Sequence, residues 1–185
     1  PNLYGRAEVG LLEPFFAGFS GELLYKPSKS SFAIGLDLHY VRKRQFEMLF
    51  DLREYKTKLG HLSLYYDFEN WLDLELNLGR YLAGDWGSTL NLSRKFANGW
   101  EVGGYATLTD VPFDKFGEGS FDKAIYVSIP MDWIIGSPNT VRRKLTIRPI
   151  TRDGGAQLAS ARKLYGKIKD FQNTSFKREY GRLWK

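Results

Sequence analysis

The sequence contains no cysteine, so neither disulfide bonds nor thiolate metal sites can stabilise this chain. It also contains no uninterrupted apolar run long enough for a membrane-spanning helix, which needs about 20 residues. A membrane-spanning strand needs only about 9 to 11 residues, and its apolar positions alternate with polar ones. The sequence therefore leaves a soluble protein and a membrane protein built from strands as alternatives.

A strong charge of one sign is also lacking. The chain has 27 Lys and Arg residues against 21 Asp and Glu residues, which is a formal net charge of +6. Basic residues can meet nucleic acid, anionic lipid headgroups or an acidic polysaccharide. Because no base-stacking motif accompanies the charge, we expect a solvated surface with a modest cationic excess and no nucleic-acid partner.

Apolar and polar residues alternate along most of the chain, with the period of two expected of a pleated strand. From Leu72 to Gly79, leucines occupy one face, while Asp73, Glu75 and Asn77 occupy the other. The same pattern predicts strands at Leu3–Leu11, Phe15–Tyr25, Phe32–Tyr40, Tyr55–Phe68, Leu72–Gly79, Thr89–Phe96, Trp100–Thr109, Phe121–Ile129 and Val141–Ile150, with a weakly patterned tenth at Gln172–Trp184. We therefore predict an all-β fold, an antiparallel meander of about 9–10 strands.

The predicted connections differ in length. They are short near residues 27–31, 69–70 and 97–99, and mostly longer at 83–87, 110–120, 152–170 and 42–54, the last being a charged linker. Because antiparallel neighbours run in opposite directions, the two groups lie at opposite ends of the sheet. Short turns at one end and long loops at the other are typical of bacterial outer-membrane barrels.

Aromatic residues are concentrated near both ends of the predicted strands. One group is Tyr25, Phe68, Trp71, Phe96 and Trp100, and the other is Tyr40, Tyr55, Trp86, Phe113 and Phe116. Two such bands are typical of the lipid interfaces of a barrel, but Tyr and Trp also occupy the rims of soluble sandwiches. The pattern favours the barrel and leaves a β-sandwich as the alternative.

Three long segments share one resemblance: GRYLAGDWGSTLNLSRKFANGWEVGGYATLTDV, FGEGSFDKAIYVSIP and RPITRDGGAQL. Three earlier segments, PNLYGRAEVG, FAGFSGELLYKP and GHLSLYYD, share it in the same order. All are similar to the carboxyl-terminal part of the YjbH family, outer-membrane proteins associated with exopolysaccharide or capsule production. The similarity is specific because the GDWG, GEGSFDK and TRDGG motifs match together.

The resemblance implies a β-barrel in the outer membrane of a Gram-negative bacterium. It implies outer-membrane lipid, a secreted polysaccharide and other polysaccharide export proteins as partners. Because family members are much longer and the chain starts at Pro1, we expect the last part of a larger protein. Residues 1–158 are expected to be a barrel segment, and residues 159–185, which resemble the family less, a basic tail or a final strand.

Polar faces of the predicted strands supply the first set of candidate residues. In a barrel they would point into a hydrated lumen and contact the glycan. This set comprises Arg6, Glu8, Glu22, Asp37, His39, Asp73, Glu75 and Asn77.

Catalytic and metal-binding interpretations of this face are weaker. Asp73 and Glu75 could form the acid and base of a glycosidase, but same-face carboxylates are more often solvated, so we expect no enzymatic activity. His39 and His61 lack a third ligand signal and are expected to be lumen residues rather than a metal site. The Gly-rich GDWGS and GEGS segments are not phosphate loops, because neither opens a helix, so we expect no cofactor.

Family-like motifs at the long-loop end supply the second set. These residues are Asp85, Trp86, Glu118, Asp122, Lys123, Arg148, Arg152 and Asp153. They would line a pore mouth or contact sugar, Trp86 by stacking and the charged groups by hydrogen bonds. The alternative is that the neighbouring glycines form turns and the charges pair to hold the loops.

We therefore expect an outer-membrane barrel protein that forms or supports a conduit for a secreted polysaccharide. Two other functions remain open. One is a soluble periplasmic β-sandwich that binds carbohydrate, and the other is a polysaccharide-modifying enzyme.

Overall fold

The computed structural model describes residues 2–47, 51–68, 71–96, 98–112, 121–131, 141–149, 154–158 and 163–170. The elements are β1 (Leu3–Glu13), β2 (Phe16–Tyr25), β3 (Phe32–Arg44), β4 (Leu52–Phe68), β5 (Leu72–Arg80), β6 (Trp86–Lys95), β7 (Glu101–Thr109), β8 (Asp122–Pro130), β9 (Arg142–Ile147) and α1 (Leu164–Asp170). No helix in these ranges is long and apolar enough to cross a membrane.

The nine strands form one antiparallel sheet in which each strand pairs with the next one along the chain. This confirms the predicted all-β meander. Among the described strands, β1 and β9 are the two edges of the sheet. The register places polar residue opposite polar residue, for example Asp37 opposite His61 and Ser63 opposite Asn77.

Strand lengths differ from the prediction around residues 42–54. The structure extends β3 to Arg44 and starts β4 at Leu52, so six of the thirteen residues of the predicted charged linker belong to strands. Trp86, predicted to lie in a loop, is the first residue of β6. The ends of β3 and β4 tolerate charged residues because the hydrogen bonds between strands satisfy the backbone N–H and C=O groups whichever side chain is attached. The predicted tenth strand at Gln172–Trp184 lies outside the described residues.

The predicted contrast in connection length is weaker in the structure. Six residues separate β2 from β3 and eleven separate β8 from β9, at the end predicted to have short turns. At the other end, seven residues separate β3 from β4 and five separate β5 from β6. Because the strands extend further than predicted, the difference between the two ends is small.

Most apolar side chains of the sheet are exposed and most polar side chains on its other face are covered, whereas β9 exposes residues of both kinds. On β2, Phe19 is 62% exposed whereas Glu22 is 6% exposed. The exposed side, the apolar face, includes Val9, Phe19, Leu23, Leu36, Leu38, Leu62, Leu78, Leu90, Leu92, Val102, Leu108, Ile125, Leu145 and Ile147. The covered side, the polar face, includes Ser20, Glu22, Asp37, Thr57, His61, Ser63, Asn77, Thr89, Ser93, Thr107, Asp122 and Ser128. This is the reverse of a water-soluble sheet packed on an apolar core.

Two small apolar clusters lie on the polar side of the sheet. Phe16, Val41 and Leu59 pack with Leu158. Leu24, Ala33 and Tyr65 form the second cluster, against which Leu164, Tyr165 and Ile168 pack. In both clusters, residues from the far end of the chain cover the strands.

Candidate functional site

The polar face is covered by a segment from the end of the chain, which we call the covering segment (residues 154–158 and 163–170). It was not predicted to contact this face. Its helix α1 contacts β1 and β2, and its lysine side chains reach Asp67 on β4 and Glu75 on β5. Hydrogen bonds and ion pairs between this segment and the polar face determine which polar residues of the sheet are paired.

Lys163 is the central polar contact of the covering segment. Its Nζ donates to Glu75 Oε1 at 3.0 Å and to Asn77 Oδ1 at 2.8 Å. Asn77 Nδ2 in turn donates to Glu75 Oε1 at 2.9 Å, and Ser63 Oγ donates to Asn77 Oδ1 at 2.6 Å. One lysine thus joins the amide, carboxylate and hydroxyl of two neighbouring strands.

Glu22 connects the first strand to the start of α1. Its Oε2 accepts from Arg6 NH2 at 2.8 Å, and its Oε1 accepts from the backbone N of Leu164 at 2.8 Å. Arg6 also lies 3.4 Å from Glu8. The carboxylate therefore pairs with a half-buried cation and satisfies an amide at the first turn of the helix.

Asp37 and two histidines form a compact cluster. Asp37 Oδ2 lies 3.0 Å from His39 Nε2 and 3.1 Å from His61 Nδ1. The ring of His61 meets the ring of Tyr81 edge to face, with 4.8 Å between centroids. In the ranges that the structure describes, no group of three or more His, Asp or Glu residues is arranged to hold a metal ion.

Lys169 and Tyr165 attach the end of α1. Lys169 pairs with Asp73 and lies 3.4 Å from Asp67. Tyr165 stacks on Tyr65 with 3.9 Å between centroids and 10° between the ring planes. Burial raises the pKa of Tyr165, because the charged phenolate would be poorly solvated there.

The loop motifs GDWG and TRDGG meet in the structure. The backbone N of Gly155 donates to Asp85 Oδ2 at 2.8 Å, and the backbone N of Leu82 donates to Ala156 O at 2.9 Å. Gly155 has a φ of +67°, a conformation that residues with a side chain rarely adopt. The motif glycine and the motif aspartate therefore anchor the covering segment to the β5–β6 connection.

A cavity of about 320 Å³ remains on the polar face beside this anchor. It lies between β5–β9 and residues 155–157. Its lining is polar: Glu75, Asn77, Thr89, Asn91, Tyr105, Thr107, Asp122, Tyr126, Lys144, Arg148, Gly155, Ala156 and Gln157. It is the part of the polar face best suited to receive a ligand.

The structure brings most of the predicted polar-face residues together in these networks. Residues of the first set, Arg6, Glu8, Glu22, Asp37, His39, Asp73, Glu75 and Asn77, all lie on the polar face and hydrogen-bond or pair there. Asp73 and Glu75 each pair with a lysine of the covering segment rather than with each other. Whether any of them contacts glycan stays a prediction.

The second set is dispersed. Asp122 and Arg148 line the cavity, and Asp85 anchors Gly155. Trp86 is 62% exposed at the start of β6, and Lys123 Nζ lies 4.3 Å from the ring centroid of Phe121. Glu118, Arg152 and Asp153 lie outside the described residues.

Sequence reasoning missed Lys163, Tyr165 and Lys169 of the covering segment, and Lys144 of the cavity. Lys163, Tyr165 and Lys169 lie outside the predicted strands, so no alternation of apolar and polar residues assigns them to a face. Lys144 lies on the predicted ninth strand. The available signals were the lysines near the end of the chain and the glycine pair at Gly154. Neither signal says which strand is contacted.

Comparison with known protein families shows which family the chain resembles. The model of the YjbH family, described as "Exopolysaccharide biosynthesis protein YbjH", matches residues 1–170. The chain belongs to the YjbH family. Within this family-matched region lie all nine strands, the covering segment and the cavity.

One curated relative of the YjbH family is named "Uncharacterized lipoprotein YjbH", from Escherichia coli (strain K12). The two sequences are 40% identical over 174 residues, which cover 91% of this chain. The chain spans 25% of the length of that relative. No solved structure matches the chain.

Proposed function

We propose that this chain forms part of the wall of an outer-membrane β-barrel that acts in exopolysaccharide or capsule production. The polar face would border the path of the secreted glycan, and the apolar face would contact lipid. The chain itself would break or form no bond of the polysaccharide. Other polysaccharide export proteins would be its partners.

The observation that carries the proposal is the exposure of the apolar face across the sheet. Val9 is 73% exposed on β1, and Ile147 is 73% exposed on β9. Soluble monomers rarely expose contiguous apolar patches larger than a few hundred Å². A face that extends over nine strands therefore needs a cover, and the hydrocarbon of a bilayer supplies one for alternating strands.

Exposed aromatic residues near the ends of the strands support lipid as the cover. Tyr25, Phe68 and Trp71 lie at one end of the sheet, and Tyr40 and Trp86 at the other. Tyr and Trp favour the interface between hydrocarbon and water, because one part of the ring is apolar and another is polar.

The edges of the sheet support participation in a larger barrel. β1 and β9 each have a single neighbour among the described strands. An unpaired strand edge is costly in hydrocarbon, because its N–H and C=O groups find no water there. We infer that further strands of the longer protein pair with these edges.

The family description supports the polysaccharide part of the proposal. The word lipoprotein in the name of the relative is compatible with a location in a Gram-negative envelope. A hydrated glycan needs a path lined by hydroxyls, amides and charges, and the polar face offers these groups.

Nitroxide labels on β6 test which medium the apolar face contacts. The full-length protein in bilayers would carry a single label at Leu90, Asn91 or Leu92, with Asn98 in the β6–β7 turn as an aqueous control. This chain has no cysteine of its own that would compete for the label.

We expect labels at Leu90 and Leu92 to collide with dissolved oxygen, which concentrates in lipid. The label at Asn91 should collide with a water-soluble nickel complex. Shielding of Leu90 and Leu92 from both reagents would indicate a second protein layer and refute the barrel. Collision of all labels with nickel would refute membrane insertion.

A further inference from the structure

The cavity on the polar face differs from the rest of that face because the covering segment leaves it open. Its volume of about 320 Å³ lies near the lower limit of small-molecule sites, which span about 300–1,000 Å³. Strands β5 to β9 form its floor, and residues 155–157 form one side.

The uncharged lining suits a sugar. Sugar hydroxyls donate and accept hydrogen bonds, and so do the phenols and amides of Tyr105, Asn91 and Gln157. The Tyr126 hydroxyl donates to Asn91 Oδ1 at 3.1 Å, so that this amide is held in place. A site of oriented amides and phenols loses little side-chain entropy when a ligand binds.

The charged lining is unequally compensated. Glu75 pairs with Lys163 at 3.0 Å. Asp122 accepts from the Tyr105 hydroxyl at 3.4 Å and lies within electrostatic reach of Arg148. Both carboxylates of the cavity therefore have cationic neighbours.

Lys144 is the remaining charge. Its Nζ lies 3.7 Å from the ring centroid of Tyr126, and its side chain is exposed. Within the described ranges, no carboxylate lies within 4 Å of it. The aromatic ring holds the ammonium group at the cavity without neutralising it.

We propose that the cavity binds an acidic sugar residue, a uronate, whose carboxylate pairs with Lys144. The sugar hydroxyls then contact the amides and phenols of the floor. This inference rests on the proposed function, because it takes the glycan to run along the polar face. It adds a substrate class: an anionic polysaccharide rather than a neutral one.

Register supplies a matched control on the same strand. Lys144 pairs with Ser128 on the polar face, whereas its neighbour Arg143 pairs with Ile129. Successive side chains of a strand point to opposite faces. Arg143→Gln therefore removes one positive charge from β9 without changing the cavity.

The test is calorimetric titration of the full-length protein in detergent. The two probes are a galacturonate trisaccharide and the matching neutral galactose trisaccharide. We expect the acidic trisaccharide to bind, and the neutral one to bind about tenfold more weakly, since a charge-assisted hydrogen bond is lost. Added salt should weaken the binding of the acidic trisaccharide and leave the binding of the neutral one unchanged.

Lys144→Gln should raise the Kd for the acidic trisaccharide about tenfold, and Arg143→Gln should leave it nearly unchanged. Equal binding of both trisaccharides, equal effects of the two variants, or no binding of either trisaccharide would overturn the uronate site. The nitroxide results decide the barrel separately, because they depend on β6 and require no sugar.

Discussion

Replacing Lys163 with methionine should release the covering segment from the polar face. Methionine keeps the aliphatic length and a similar helix propensity but removes the charge. The substitution removes the donor to Glu75 and Asn77 at 3.0 and 2.8 Å. Docking of residues 163–170 should weaken while the sheet remains paired.

The magnitude follows from the exposure of the pair. Lys163 and Glu75 side chains are 30% and 25% exposed, between the surface and the interior. Exposed pairs contribute about 0–1 kcal/mol, and removal of one partner of a buried pair costs about 3–5 kcal/mol. Glu75 keeps the donor of Asn77 at 2.9 Å, which lowers the cost. We expect about 2 kcal/mol, or about 30-fold in the opening equilibrium.

Hydrogen exchange of the backbone amides of α1 measures this opening in the full-length protein. Lys167→Met is the matched control, because Lys167 is an exposed residue of the same helix. Exchange of β6 amides should be unchanged in both variants. Equal α1 protection in Lys163→Met and Lys167→Met would refute the reasoning.

Three further predictions concern the same segment. Tyr165→Ala should lower the opening free energy of α1, measured by hydrogen exchange, by about 3 kcal/mol, because it removes the stack on Tyr65. Tyr165→Phe keeps the ring and should retain the protection. Equal exchange in the two variants would contradict this. Because burial raises the pKa of Tyr165, docking should be constant below the unfolded value of about 10 and weaken as pH rises above it. Hydrogen exchange of α1 measured at several pH values should show a smaller weakening of docking at high pH in Tyr165→Phe than in the unmodified protein. Gly155→Ala should lower the free energy of local opening of residues 154–158 by about 2 kcal/mol and so speed their cleavage by protease. The reasons are the φ of +67° at this position and the added Cβ, which would lie only 2.8 Å from Thr107 Cγ2. Ala156→Ser should leave the cleavage rate unchanged.

The assignment of residues to faces was predictable. Glu22, Asp37 and Asn77 lie on the polar face because side chains alternate along a strand, which is a property of the local backbone. The order of the strands was also predictable, because short connections favour pairing of neighbours.

Strand ends were less predictable. Residues 42–44 and 52–54 extend β3 and β4 despite their charges, because backbone pairing with the neighbouring strand decides where a strand ends. Composition suggested a loop there, and the contrast in connection length inferred from it became weaker.

Contacts between distant residues could not be read from the pattern. Lys163 reaches Glu75 across 88 positions of the chain, and Gly155 reaches Asp85 across 70. Many lysines and many carboxylates are available, and only the path of the covering segment selects these pairs. The cavity exists because that path covers β1–β5 more fully than β5–β9.

The sequence by itself determined the strands, their order and the chemical difference between the two faces. These features follow from backbone geometry over a few residues and from short connections. Only the tertiary structure decided that the covering segment lies on the polar face, which carboxylates its lysines pair with, and that Lys144 has no carboxylate partner among the described residues. Such contacts depend on how segments far apart in the chain meet in space, and no periodicity records that.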